Sequence, residues 1–300
     1  MTFGSSNQRS FFMLKILKNI LKKYFISIKI RDRLSPQTQI LLRSAYLNHK
    51  QNISEKYYPK LSETGFRVFS QFEEDGLLLY VFSAIGMTNK TFVEIGSDDG
   101  INSNCANLAY HFNWDGLFID GNKSAIKRGE RFYRKNPHPW GSKPKFKHSL
   151  VKRENINSLI KEAGFKDEIG LLSIDIDGND YWIWDAIEVV EPQVVIIETH
   201  IEFGFHNIVV PYDPNYFYPG KHPVYHGASP IAMTKLANKK GYRLVGANEF
   251  GFNFIFVKNN LATEALPEVS VESVLKHPSA IESQKLFEHV KDFEFVSPIL

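Results

Sequence analysis

The run Thr91-Phe92-Val93-Glu94-Ile95 passes without a break into Gly96-Ser97-Asp98-Asp99-Gly100, and no other feature limits the possible folds as much. A short apolar run suits a buried strand, and two glycines four apart let the backbone turn tightly into a helix. The same unit recurs along the chain. Helical patterning covers 71–84, 103–111 and 123–134, while GLFID (116–120), residues 145–149, LLSIDI (171–176) and QVVIIE (193–198) read as strands. Strands alternating with helices imply a mostly parallel sheet with right-handed crossovers. Late in the chain, KGYRLVGAN and GFNFIFVK are two apolar runs only a few residues apart, which suits a hairpin. The expected fold is therefore α/β, doubly wound and Rossmann-like, with a mostly parallel sheet that ends in an antiparallel edge hairpin.

At 300 residues and 43% hydrophobic composition, the chain can bury one large core with appendages. The expected organisation is a basic helical extension over 1–60, a principal α/β domain over 61–260 and a helical tail over 261–300. Charge is uneven. Residues 1–60 carry 12 Lys/Arg against 2 Asp/Glu, which leaves 24 against 31 in the rest. An acidic body argues against a nucleic-acid channel, which needs clustered cations to displace counterions from phosphates.

Within the extension, Met13, Ile16, Leu17, Ile20, Leu21 and Tyr24 fall at helical spacing away from Lys15, Lys18 and Lys22. Interrupted by lysines and without a small-residue cleavage site, this run is expected to be neither a signal peptide nor a membrane span. It suits peripheral contact with an anionic membrane, or packing on its own domain or in a dimer. Cys105 is the only cysteine, so no intramolecular disulfide can form, and a reducing, cytoplasmic compartment is expected. The inner face of the membrane follows if the basic helix binds lipid.

Ligands of open α/β sheets bind beyond the carboxyl ends of the strands. Here those ends are acidic. Asp120 closes the second strand about twenty residues past the glycine loop, the position from which a carboxylate holds a ribose hydroxyl. The adenosine ligand is narrowed by charge: a dinucleotide loop brings a glycine close to pyrophosphate, whereas this one carries Asp98 and Asp99, which repel it. S-adenosylmethionine has no phosphate and bears a sulfonium and an ammonium, so acidic neighbours suit it.

A second cluster lies in SIDIDGNDYWIW, where Asp175 and Asp177 point the same way from a strand end and Asp180 follows one turn later. Glu198 and His200 end the next strand. Two readings stand. In one, Asp175, Asp177 and Glu198 bind Mg²⁺ or Mn²⁺, which orients an acceptor hydroxyl. In the other, Asp175 grips the methionine ammonium or a backbone turn, Asp177 caps the next helix and His200 is satisfied by hydrogen bonds. Methyl transfer to oxygen needs a proton acceptor, and Asp175, Asp177 and His200 are the candidates, with His206, His222 and His226 behind them. Trp182 and Trp184 stack on a sugar or pack their helix on the sheet. Cys105 reads as packing only.

The stretches SQFEEDG, FVEIGSDDGINSN, GLFIDGN, SIDIDGNDYWIW, VVIIE, VPYDP, GAS and KGYRLVG resemble bacterial proteins related to the FkbM-type S-adenosylmethionine-dependent methyltransferases, over about 70–258. The resemblance implies a seven-stranded class I methyltransferase domain, with Glu94, Gly96 and Gly100 in the cofactor loop and Asp120 on the ribose, and Ser97 in the same loop is a further cofactor-binding candidate. It also implies a small-molecule or glycan acceptor, a sugar hydroxyl above all, in surface polysaccharide or glycolipid synthesis. Two positions depart from the family pattern: His200 stands where Asn is usual, and Asp177 replaces a Glu.

The rival reading is a metal-dependent nucleotide-sugar glycosyltransferase, because Asp175-Ile176-Asp177 resembles an Asp-x-Asp signature. It accounts for the acidic pair but not for the glycine loop or Asp120. An NAD-dependent sugar dehydrogenase is weakened by the acidic loop and by the lack of a Tyr-x-x-x-Lys pair near Tyr181. A non-catalytic scaffold acting through the basic helix is the remaining class.

Overall fold

A computed structural model describes residues 31–136 and 143–298, so the expected helix around residues 13–24 lies outside the described residues. The chain separates between Leu47 and Asn48 into two compact units. Helix α1 (Pro36–Ser54) runs through that point, and the sheet with its flanking helices belongs to the second unit.

The alternation read from the sequence is realised. In chain order come α2 (Glu74–Ile85), β1 (Thr91–Ile95), α3 (Ala106–His111), β2 (Asp115–Asp120), α4 (Lys123–Lys135), β3 (Lys145–His148), α5 (Ile156–Glu162) and β4 (Asp167–Ile174). Then come α6 (Asp180–Ala186), β5 (Val190–Glu198), α7 (Pro230–Lys239), β6 (Tyr242–Ala247), β7 (Asn253–Lys258), α8 (Val271–Val274) and α9 (Pro278–Ser283). Seven strands form one sheet in the order β3-β2-β1-β4-β5-β7-β6. β7 runs antiparallel to both β5 and β6, as the late apolar pair predicts.

Central strands covered by helices on both faces need apolar residues at every position rather than at alternate ones. β5 meets this with Val194, Val195, Ile196 and Ile197, all at most 1% exposed. Large aromatic side chains lock the helices to the sheet. Trp114 meets Phe82 edge-on at 4.6 Å, and Trp184 packs on Phe256 at 5.4 Å. Truncating either buried tryptophan costs about 3–5 kcal/mol. Trp184 is thus a packing residue, while Trp182 donates its indole N–H to the Val210 carbonyl at 2.8 Å and pins the 203–227 loop.

Register aligns the strand ends. Ile95 pairs with Ile119 and Ile174, and Ile174 with Ile197, so the loops after β1, β2, β4 and β5 leave one edge together. β4 stops at Ile174, one residue short of Asp175. The expectation that Asp175 and Asp177 project from a strand is therefore corrected: both lie in the turn beyond it, and Asp177 has a left-handed φ of 56°.

Candidate functional site

Strand order reverses between β1 and β4, and the crevice at such a switch point is where open α/β sheets bind ligands. The two loops that form it cross in contact. A Cβ on Gly96 would stand 1.6 Å from the Asp175 carbonyl oxygen, so only glycine fits there, and its φ of 83° suits glycine as well. The Asp175 N–H donates to the Ile95 carbonyl at 3.0 Å, which ties the loops together.

Glu94 faces inward and braces the turn that leads into α3. Its carboxylate accepts from the Ser103 hydroxyl (2.9 Å), the Asn104 N–H (3.1 Å) and the Cys105 N–H (3.0 Å). Burial still outweighs these donors and pushes the Glu94 carboxyl up to about 7. Ser97 is buried with its hydroxyl toward the Ile119 carbonyl at 3.4 Å, and Gly100 packs its backbone on the Phe118 ring. Both shape the loop from behind without lining the cleft. Asp120 accepts from the Asp98 N–H at 2.8 Å and the Asn122 N–H at 2.6 Å, one on each oxygen. A carboxylate has room for about four acceptor contacts, so it retains capacity for a ligand hydroxyl.

The cleft between these loops holds about 780 Å³, within the ~300–1,000 Å³ range of small-ligand sites. Glu94, Asp98, Asp120, Asp175 and Asp177 line it, and no Lys or Arg is among its described lining residues. Arg128 pairs with Asp98 at 3.2 Å and Asp99 at 3.4 Å. Ser149, Leu150 and Val151 close one side, and Tyr216, Phe217 and Tyr218 of the aromatic loop close another.

At the ends of β4 and β5, single carboxylate oxygens of Asp175, Asp177 and Glu198 lie within 4.8 Å of one another. Burial, then the neighbouring Asp180 and Asp177, hold the Asp175 carboxyl above its ordinary value. Glu198 is raised by burial and then by Asp175. Burial also pushes the Asp180 carboxyl up, to about 6, although it accepts from the Ile176 N–H at 2.8 Å and the Gly178 N–H at 2.9 Å. It fastens the turn, a task that the sequence reading offers to Asp175, with Asp177 as the cap of the next helix.

His200 is not brought into the cleft. Its side chain is 11% exposed, with Nε2 2.8 Å from the Val224 carbonyl and Nδ1 3.3 Å from Glu202. Burial lowers its pKa to about 4, and lowers that of His226, 4.1 Å away ring to ring, to about 4. Both rings are neutral and structural in their contacts. Tyr216 was missed in the sequence. Its ring fills the space left by Gly178 and Gly220, lies over His226 and leaves a buried hydroxyl with no hydrogen-bond partner at the cleft wall. The signal was present in the aromatic, proline-rich 203–227 loop, but nothing there says which ring turns inward.

Neither a family model nor a curated sequence matches the chain. Among solved structures its neighbours are S-adenosylmethionine-dependent methyltransferases. An O-methyltransferase from Bacillus cereus in complex with SAH aligns with a TM-score of 0.42 at 12% identity, over 72% of this chain and 91% of that one. An S-adenosylmethionine-dependent methyltransferase from Methanosarcina mazei gives 0.38 at 14% identity, over 58% and 94%. The bifunctional kinase-methyltransferase WbdD gives 0.36 at 17% identity over 56% of this chain, and the match spans only 34% of WbdD. With TM-scores below 0.5 these likenesses carry no argument on activity, and the fold rests on the strand order itself.

Proposed function

We propose that the chain is an S-adenosylmethionine-dependent methyltransferase that methylates a hydroxyl of a small molecule or glycan, a sugar hydroxyl in the first place. One observation carries this reading: a nucleoside-sized cleft at the switch point is lined by five carboxylates and no Lys or Arg among its described residues. Such a wall repels a pyrophosphate and welcomes a sulfonium and an ammonium. Gly96 leaves the backbone room at the point of contact, Asp120 offers free acceptor sites to ribose hydroxyls, and Asp175 meets the ammonium. The cofactor supplies an electrophilic methyl group when bound. The chain's own part is to align the acceptor beneath the aromatic loop and take its proton, a task within reach of Asp177 in the exposed turn.

Assignment to the FkbM-type group, a role in polysaccharide synthesis on the cytoplasmic side and membrane contact through the basic extension belong to this same proposal. So does its division into a 1–60 extension, a 61–260 methyltransferase domain and a 261–300 tail. The glycosyltransferase alternative brings a diphosphate to an acidic wall and stands only with a metal. The grouping of Asp175, Asp177 and Glu198 within 4.8 Å keeps a divalent ion as a second reading.

Calorimetric titration with S-adenosylhomocysteine tests the main reading, with UDP-sugar plus Mn²⁺ and NAD⁺ as comparison ligands. Saturable binding of S-adenosylhomocysteine, weakened at least ~10-fold in Asp120→Ala, is expected, equivalent to about 1.4 kcal/mol or more. Binding of UDP-sugar alone overturns it. Metal dependence is tested separately: loss of activity in EDTA supports the ion, and full activity in EDTA removes it.

A further inference from the structure

The acidic sum for residues 61–300 conceals a segregation. Residues 123–153 hold 11 Lys/Arg against the single acidic Glu130, and the rest of 61–300 holds 13 against 30. Much of this positive charge lies on α4. Ala125, Ile126, Gly129 and Phe132 bury one face of the helix. Lys123, Lys127, Arg131, Arg134 and Lys135 are exposed on the opposite side, within about 120° of arc at 100° per residue. They form a stripe about 18 Å long at 1.5 Å per residue.

Apart from the exposed Glu130, which lies at the stripe's edge three residues from Lys127 and four from Arg134, the stripe is a ladder of like charges. Lys123, Lys127, Arg131 and Lys135 stand four residues apart, so each is the like-charge neighbour of the next, and such pairs destabilise a helix. The first turn has no acidic residue, which leaves Lys123 against the positive end of the helix dipole. None of the five enters an ion pair among the described residues, although the body around them carries an excess of carboxylates. The track also leads to the cleft: Asn122 caps the start of α4 and directly follows the cleft residues Asp120 and Gly121.

We propose that this face of α4 is a docking track for an acidic polysaccharide, whose end reaches the cleft mouth. What happens to the docked chain rests on the methyltransferase reading; the docking itself does not. A bilayer is disfavoured because the apolar face of α4 is already spent inside the domain, leaving nothing to insert. A nucleic-acid strand is disfavoured because the stripe has no exposed aromatic ring on which bases stack. Neither objection applies to a polymer of hydroxylated rings bearing spaced carboxylates, which needs only a row of cations.

The test is calorimetric binding of polygalacturonate to the full chain, compared with neutral dextran, oligodeoxythymidylate and phosphatidylglycerol vesicles. In the triple variant Lys127→Ala/Arg131→Ala/Arg134→Ala, polygalacturonate binding is expected to weaken at least ~10-fold and to lose roughly three units of salt slope, about one per removed cation. Lys285→Ala/Lys291→Ala, in the 261–300 tail, is expected to bind as the parent does. The triple variant keeps its S-adenosylhomocysteine affinity and unfolds no earlier than the parent, because its like-charge ladder is gone. That separates a failed track from a failed cofactor site. Undiminished polygalacturonate binding by the triple variant, or tighter binding of the oligonucleotide or the vesicles, overturns the proposal.

Discussion

Two sets of carboxylates share the carboxyl edge of the sheet and are treated in opposite ways: Glu74, Asp75, Glu94 and Asp180 are buried, whereas Asp175 and Glu198 stay partly exposed. On the bracing side, Asp75 takes three backbone N–H donors on one oxygen, from Val68, Phe69 and Ser70 at 2.7, 2.6 and 2.8 Å. Glu74 receives Asn248 at 3.2 Å, Asn253 at 2.9 Å and the Phe72 N–H at 2.9 Å. Glu94 and Asp180 are likewise surrounded by donors. At the ends of β4 and β5, Asp175 and Glu198 accept no side-chain hydrogen bond among the described residues and face each other and Asp177 instead. A half-buried carboxylate that lacks donors and faces other carboxylates is costly to keep charged, so it holds a proton or waits for a cation. The first set is committed to holding loops. The second is available to a ligand.

The largest effect should come from breaking the first set. Asp75→Ala strands the backbone N–H groups of Val68, Phe69 and Ser70 in a largely buried turn. At about 1–3 kcal/mol for each unsatisfied group, less what relaxation recovers, a loss of about 4 kcal/mol is expected. Urea unfolding measures it as a lower midpoint with an unchanged slope. An undiminished midpoint would show that the turn finds other acceptors, and the contrast between the two sets would lose its structural half.

The sequence made the sheet legible because its signals are local. Apolar runs in TFVEI and QVVIIE, glycines at 96 and 100, and the closeness of the two late runs each determine structure within a few residues. The site was legible only in part. Gly96, Glu94 and Asp120 follow from their places relative to strand ends, and the structure sets them around one crevice. The division of labour among acids was not legible, since Asp175, Asp177 and Asp180 look alike in SIDIDGND and only the course of the turn beyond β4 gives the N–H groups to Asp180. His200 misleads for the same reason. Its acceptor, the Val224 carbonyl, comes from a loop 24 residues away, which no spacing rule reaches. The basic track on α4 was hidden by summing charge over the whole body.

A smaller and more discriminating effect comes from Asp175→Asn. The Asp175 carboxyl is held above its ordinary value by burial and then by Asp180 and Asp177, so the folded state binds its proton more tightly than the unfolded state does. Stability from such a group is full below the ordinary carboxylate range and is lost as pH rises toward and through the raised value. The parent protein without cofactor should therefore become less stable between pH 4 and pH 8, on the order of 1.4 kcal/mol for each unit of upward shift. Asn has no proton to lose. The variant should match the parent near pH 4, exceed it by on the order of 1.4 kcal/mol more for each pH unit up to pH 8 and show a shallower slope between. It should also bind S-adenosylhomocysteine at least ~10-fold more weakly, because an amide offers no charge to the ammonium. Thermal unfolding across pH and calorimetry read the two effects independently. Gain of stability with loss of binding is the mark of a carboxylate kept for a ligand, whereas loss of stability at pH 8 would place Asp175 with Asp75 among the braces.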